Sequence, residues 1–261
     1  MDFSDLPKDH YPDLMLTGER TLPGVREENY WFQRHLVAYE YLLGHVRGKR
    51  VLDLGSGEGY GTDLLATQAA QAIGVDLAPE AVYHARNTYR RENLSFVYGD
   101  IYRLQFQDES FDVVCSLQVL EHLREPELFM AEARRVLRPG GRCFITTPNR
   151  LVISPGSDKP VNPFHIFEFD DREFMDFMGR FFEEVEVLGV FHARKLLLHD
   201  RLTRTDFSRF CLALSARRAR LFYNPFFIPS IKTGDFAIKP GPLEGALDFL
   251  AVARKPAGGG V

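Results

Sequence analysis

The chain has 261 residues, 32 basic and 36 acidic side chains, a formal net charge of -4 and 45% hydrophobic content. This is enough apolar material for one substantial core, which excludes a disordered chain, and the acidic balance argues against a nucleic-acid partner because phosphate binding leaves a basic excess. Cys115, Cys143 and Cys211 are odd in number, far apart and without a CxxC pair, so a disulfide framework and a cysteine zinc site are excluded too.

In chain order, residues 1–14 carry Asp2, Asp5 and Asp13 and lack a basic stretch followed by an apolar one, so no secretory signal is expected. No run reaches the length of a membrane-spanning helix, and a cytoplasmic location is expected. Residues 1–45 form an expected N-terminal helical cap. There Glu-Asn-Tyr-Trp-Phe-Gln-Arg-His over 28–35 leads into an apolar helical pattern through Leu43. The aromatic run Tyr30, Trp31 and Phe32 either folds over a ligand or packs as a helix start.

From 49 to 188, strand and helix signals alternate. Runs at 51–54, 72–75, 94–97, 111–115 and 142–146 are β-branched or aromatic and bounded by Gly, Asp or Pro. Helical patterns at 60–67, 79–90 and 126–137 lie between them, the last halted by Arg-Pro-Gly-Gly over 138–141. This rhythm predicts a mostly parallel, Rossmann-like α/β sheet with helices on both faces, over a domain of residues 46–255. Later strands are expected at 182–190 and 246–253. Before the last of them lies an insertion, 195–242, with Arg217, Arg218 and Arg220 ahead of an aromatic stretch at 221–229. It is a candidate lid, acceptor wall or homodimer contact. Residues 256–261 read as a flexible tail.

The most informative segment is Val-Leu-Asp-Leu-Gly-Ser-Gly-Glu-Gly-Tyr-Gly over 51–61. A strand runs into Gly55, Gly57 and Gly59, and a helix follows, so the backbone can turn sharply and approach a ligand. A dinucleotide loop needs its third glycine where Tyr60 stands. Asp53 and Glu58 would repel a pyrophosphate, yet they suit a ligand bearing an ammonium and a sulfonium, which points to S-adenosylmethionine (SAM). Asp76 ends the next strand, placed for ribose hydroxyls as in NAD sites as well. Asp100 follows the third strand, within reach of an adenine amine. The competing account is a tight turn whose acids act as caps.

With Ser-Phe-Asp-Val-Val-Cys-Ser-Leu-Gln-Val-Leu-Glu-His-Leu over 110–123 and Val-Leu-Arg-Pro-Gly-Gly-Arg over 136–142, the chain resembles the seven-strand SAM-dependent methyltransferase family, in particular its type-11 branch. The resemblance implies a seven-stranded sheet in the order 3-2-1-4-5-7-6 with strand seven antiparallel. It also implies that Gly55, Gly57, Gly59 and Tyr60 meet the methionine and ribose parts, Asp53 and Glu58 the amino end, Asp76 and Leu77 the ribose, and Asp100 and Ile101 the adenine. Gln118 and Arg34 join this cofactor set, Arg34 as partner of the methionine carboxylate. Residues 16–21, 28–35, 147–150 and 162–165 are further similar to actinobacterial methyltransferases linked to methylated glucose polysaccharides.

In a parallel sheet the ligand sits outside the carboxyl ends of the strands, so the loops holding Gln118, Glu121 and His122, and Thr147 to His165, should border the acceptor. Methyl transfer is an in-line displacement, and an alcohol acceptor must also lose a proton. His165 and His122 are therefore the candidate catalytic bases, against a plain reading as loop histidines bonded to backbone. Glu168, Asp170 and Asp171 lie near enough to suggest oxygen ligands, but such a run more simply opens a helix, and no metal is expected. The leading reading is O-methylation of a sugar hydroxyl in an oligo- or polysaccharide. The alternatives are O- or C-methylation of a quinone or phenol, and a non-catalytic SAM-binding partner protein.

Overall fold

The structure, a computed structural model, describes residues 21–157, 159–203, 207 and 226–257. Residues 16–20, Cys211, the arginines at 217, 218 and 220, the opening of the aromatic stretch and the last four residues lie outside the described residues.

Five strands of the predicted rhythm form: β1 (Arg50–Leu54), β2 (Gln71–Asp76), β3 (Leu94–Tyr98), β4 (Phe111–Leu117) and β5 (Leu137–Pro148), all mutually parallel. The central strands are continuous apolar runs because helices cover both faces. α2 (Tyr60–Ala66), α3 (Pro79–Thr88) and α4 (Pro126–Val136) link them, α3 and α4 each opening on a proline whose missing N–H is not needed there. Gly140 sits at φ +75°, and β5 shifts register against β4 between Phe111 and Val113, so the Arg-Pro-Gly-Gly run ends the helix and also begins the strand.

The rest of the sheet is antiparallel. β6 (Glu184–His192), β7 (Phe236–Lys239) and β8 (Asp248–Arg254) complete the order β3-β2-β1-β4-β5-β8-β6-β7, with β8 wedged between β5 and β6. The expected seven-strand order is present, and the sheet has eight strands. The extra one, β7, comes from the insertion and pairs with β6 from Gly189↔Lys239 to His192↔Phe236, covering an edge that would otherwise expose backbone groups. The insertion also contains most of α7 (Arg194–Thr203).

The N-terminal helix, α1 (Asn29–Val46), packs against the sheet domain. Ala38, Tyr39, Leu42 and Val46 are buried with Val51, Leu65, Ala72 and Phe144 in one face of the core. Beyond β5 come α5 (Arg150–Ile153) and α6 (Asp171–Gly179). Asp170 is the N-cap of α6 in a reciprocal capping box with Glu173, which is the helix opening expected of that acidic run. Among the described residues no helix is long and apolar enough to cross a membrane.

Candidate active site

The glycine turn is built into the carboxyl end of β1. Gly55 and Ser56 donate their N–H groups to the Val75 carbonyl at 2.8 and 3.0 Å, lashing the turn to β2. Asp76, ending β2, accepts from Gly57 N at 2.7 Å and from Ala78 N at 2.9 Å. Gly59 lies at φ +104°, and a Cβ there would stand 2.8 Å from both Ala85 and Phe96, so glycine is required twice over, for conformation and for space. Leu77 is 59% exposed beside this turn. Asp100 is exposed and accepts from Tyr102 N at 2.9 Å, while Ile101 is buried. Asp76 thus ends β2, and Asp100 follows two residues after the end of the adjacent parallel strand β3.

Arg34, Glu58 and Asp53 of the expected cofactor set are buried and hydrogen-bonded within the protein. Arg34, expected to pair with the methionine carboxylate, is held by Asp248. Its Nε and one terminal nitrogen bind both oxygens of Asp248 at 2.6 Å, and the latter nitrogen also reaches the Leu247 carbonyl at 2.8 Å. A buried guanidinium needs a counter-charge, and β8 supplies it. Glu58 accepts from the Tyr89 hydroxyl at 2.9 Å and Tyr60 N at 3.0 Å and faces His84 Nε2 at 3.1 Å, so it fastens the turn to α3 and does not point into open space. Asp53 is fully buried, accepting from Thr62 Oγ1 at 2.7 Å and Tyr39 OH at 3.3 Å, and burial pushes its carboxyl up to about 6.

Beside the turn opens a cavity of about 420 Å³, within the range that holds small ligands. Glu27, Glu28, Trp31, Arg34 and His35 of the N-terminal segment line it, together with Gln118, Glu121 and His122 after β4 and Asn162, Phe164 and His165 after β5. Gln118 takes a left-handed conformation, φ +58°, held by its own N–H donating to Thr146 Oγ1 at 3.0 Å. Trp31 therefore lines the cavity, whereas Tyr30 is buried against His192 and Phe236, and Phe32 packs edge-on to Tyr60 at 4.9 Å. Burial presses His35 down to about 4, so it is neutral at physiological pH.

The two expected catalytic histidines meet here, ring centroids 5.0 Å apart. His165 Nδ1 lies 2.6 Å from Glu168 Oε1, and Asn162 Nδ2 donates to its Nε2 at 2.9 Å. His122 Nδ1 lies 2.9 Å from the Phe164 carbonyl. Glu121, 1% exposed, has its carboxyl raised to about 8 by burial and receives one long hydrogen bond, from Thr147 Oγ1 at 3.3 Å. Glu121 and Asn162 lie in the loops expected to border the acceptor, and Trp31 in the aromatic run weighed as a ligand cover, but the sequence assigned no individual role to these residues or to His35. Only the adjacency Glu121-His122 and the three-residue spacing of His165 and Glu168 could have signalled part of it.

A glycine turn at the carboxyl end of β1, with Asp76 ending the neighbouring parallel strand, defines the class: a Rossmann-like α/β fold of the kind that binds an adenosyl ligand at the carboxyl edge of its sheet. The family model for a methyltransferase domain matches residues 52–145. The chain is 39% identical to a probable SAM-dependent methyltransferase of Mycolicibacterium smegmatis, covering 93% of this chain and 96% of that one. It is 37% identical to a probable SAM-dependent methyltransferase of Mycobacterium tuberculosis, over 93% of this chain and 90% of the relative. A SAM-dependent methyltransferase structure from Thermotoga maritima superposes with a TM-score of 0.59, at 21% identity, over 88% of this chain and 96% of the other. The chain belongs to the SAM-dependent methyltransferases, and SAM is its cosubstrate.

Proposed function

We propose that this enzyme methylates a hydroxyl of a sugar within an oligo- or polysaccharide. The observation that supports this reading is the mixed lining of the cavity. Trp31 offers an aromatic face for the C–H side of a sugar ring, while Glu27, Glu28 and Asn162 offer partners for its hydroxyls. In this reading Gly55, Gly57, Gly59, Tyr60, Asp76, Leu77, Asp100, Ile101 and Gln118 hold SAM. His165 and His122 activate the acceptor oxygen. That oxygen attacks the methyl carbon in line, the carbon–sulfur bond breaks with its electron pair passing to sulfur, and the hydroxyl proton passes by way of these rings to water. Alignment of donor and acceptor supplies much of the rate. The cytoplasmic location expected from the sequence is part of the same proposal.

Purified protein incubated with methyl-labelled SAM and two acceptor panels tests it. One panel holds gluco-oligosaccharides and their partly methylated forms, the other phenols and quinols. Label is expected in the saccharides. Label confined to the phenols and quinols overturns the carbohydrate assignment.

A further inference from the structure

We propose that Glu121, His122 and His165 together hold a divalent first-row transition cation at the floor of the acceptor cavity. The proposal rests on the reading of this cavity as the acceptor site. One ligand atom from each residue lies within 4.8 Å of the other two. Three such atoms share a centre no more than roughly 2.8 Å away, against bonds of about 2.0–2.2 Å from zinc to imidazole or carboxylate, so closing on the ion asks each group to move less than about 1 Å. Two imidazoles and one carboxylate suit a transition cation better than Mg²⁺ or Ca²⁺, which favour all-oxygen sets.

The surroundings of the trio favour the same occupant. Metal-bound histidines nearly always donate their other ring N–H to a carboxylate or carbonyl, which fixes the tautomer. Both rings have that partner here, Glu168 Oε1 for His165 and the Phe164 carbonyl for His122, each at Nδ1. Nε2 is then the lone-pair nitrogen of each neutral ring. The Asn162 amide donating to His165 Nε2 marks that lone pair, and it is the contact an ion would displace. Glu121 is buried, with His122 Nε2 3.9 Å from its carboxylate. Glu168 Oε2 is buried with no hydrogen-bond partner among the described residues. The nearby cation Arg34 is already held by Asp248. The floor thus gathers two carboxyl groups and two imidazole rings, a set of oxygen and nitrogen donors.

Three protein ligands leave coordination positions open for oxygens of the acceptor. A hydroxyl bound there loses its proton more readily, because the cation stabilises the alkoxide. In this account the histidines act through the ion they hold, and the proton passes to water at the cavity mouth.

The test uses the full chain, stripped with EDTA and titrated with Mn²⁺ and with Zn²⁺ by calorimetry. Fluorescence of the single tryptophan, Trp31 in the same cavity, gives a second readout. One ion per chain is expected. Glu121→Gln and His165→Asn should abolish that binding, and Glu168→Gln should weaken it about 10- to 100-fold, as loss of an outer-shell partner does. SAM affinity should stay at wild-type level in all three, which also shows that they fold. Absence of binding in the wild type, or equal binding in the variants, overturns the site. Full methylation of a saccharide in EDTA overturns it while leaving the carbohydrate reading intact. Ion binding without methylation of any saccharide does the reverse.

Discussion

Asp76 bonds two backbone amides at once, from Gly57 and Ala78, and so shapes the glycine turn. In the proposed reading the same carboxylate also meets the ribose of SAM. Charge-assisted hydrogen bonds contribute about 1.5–3 kcal/mol each, so Asp76→Ala should raise the SAM dissociation constant by about 10- to 100-fold, read by calorimetry. An unchanged value would remove Asp76 from the site. His165→Ala should lower kcat by about 100-fold or more with SAM affinity near wild type. Equal kcat in variant and wild type would make the ring structural.

Asp53 makes a pH prediction. Its carboxyl is raised from 3.8 to about 6 by burial, so the folded state binds its proton more tightly than the unfolded one. Between about pH 4 and 6 the folded chain therefore carries more protons at this site, and stability falls as pH rises through that window. The contribution is on the order of 2–3 kcal/mol, lost by pH 7. Asp53→Asn cannot titrate. Urea denaturation from pH 4 to 7 should show the wild type losing stability relative to this variant, and parallel curves would refute the assignment.

At the scale of elements, the strand–turn–helix of 50–66 is fastened from three sides: to β2 by the Val75 carbonyl, to α3 by Glu58 and to α1 by Tyr39. Gly59 is its tightest point. Gly59→Ala puts a side chain in a left-handed conformation and into Ala85 and Phe96. Such backbone strain costs about 1–3 kcal/mol, and the displaced turn should weaken SAM binding as well. A drop in both melting temperature and SAM affinity is expected.

For the molecule as a whole, the Arg34–Asp248 pair ties α1 to β8 across 214 residues of sequence. This pair, with the packing of Tyr39 and Leu42, makes the N-terminal helix part of the catalytic body and brings Trp31 and His35 to the cavity wall. Asp248→Ala leaves a guanidinium buried without its partner and should lower stability by about 3–5 kcal/mol in chemical denaturation. Asp248→Leu combined with Arg34→Met removes both charges and should recover most of that loss. A loss below about 1 kcal/mol in the single variant would mean the pair is not buried in solution.

The alternation of short apolar runs with helical patterns, and the glycine turn at 51–61, were decided locally. Hydrophobic period, proline helix starts and positive-φ glycines are properties of neighbouring residues, so the parallel sheet and the glycine turn could be read from the chain. The Asp170 helix cap was legible for the same reason. Contacts between distant residues could not be read in this way. Nothing around Arg34 announces Asp248, so a free arginine and a paired one look alike in sequence. The eighth strand needed the exposed edge of β6 as its template. Glu121 and His122 stand 44 and 43 positions before His165, and only the approach of the loops after β4 and β5 at one end of the sheet brings them together. Local propensity writes the scaffold, whereas the partners of buried charges are set by which chain ends the sheet topology makes adjacent.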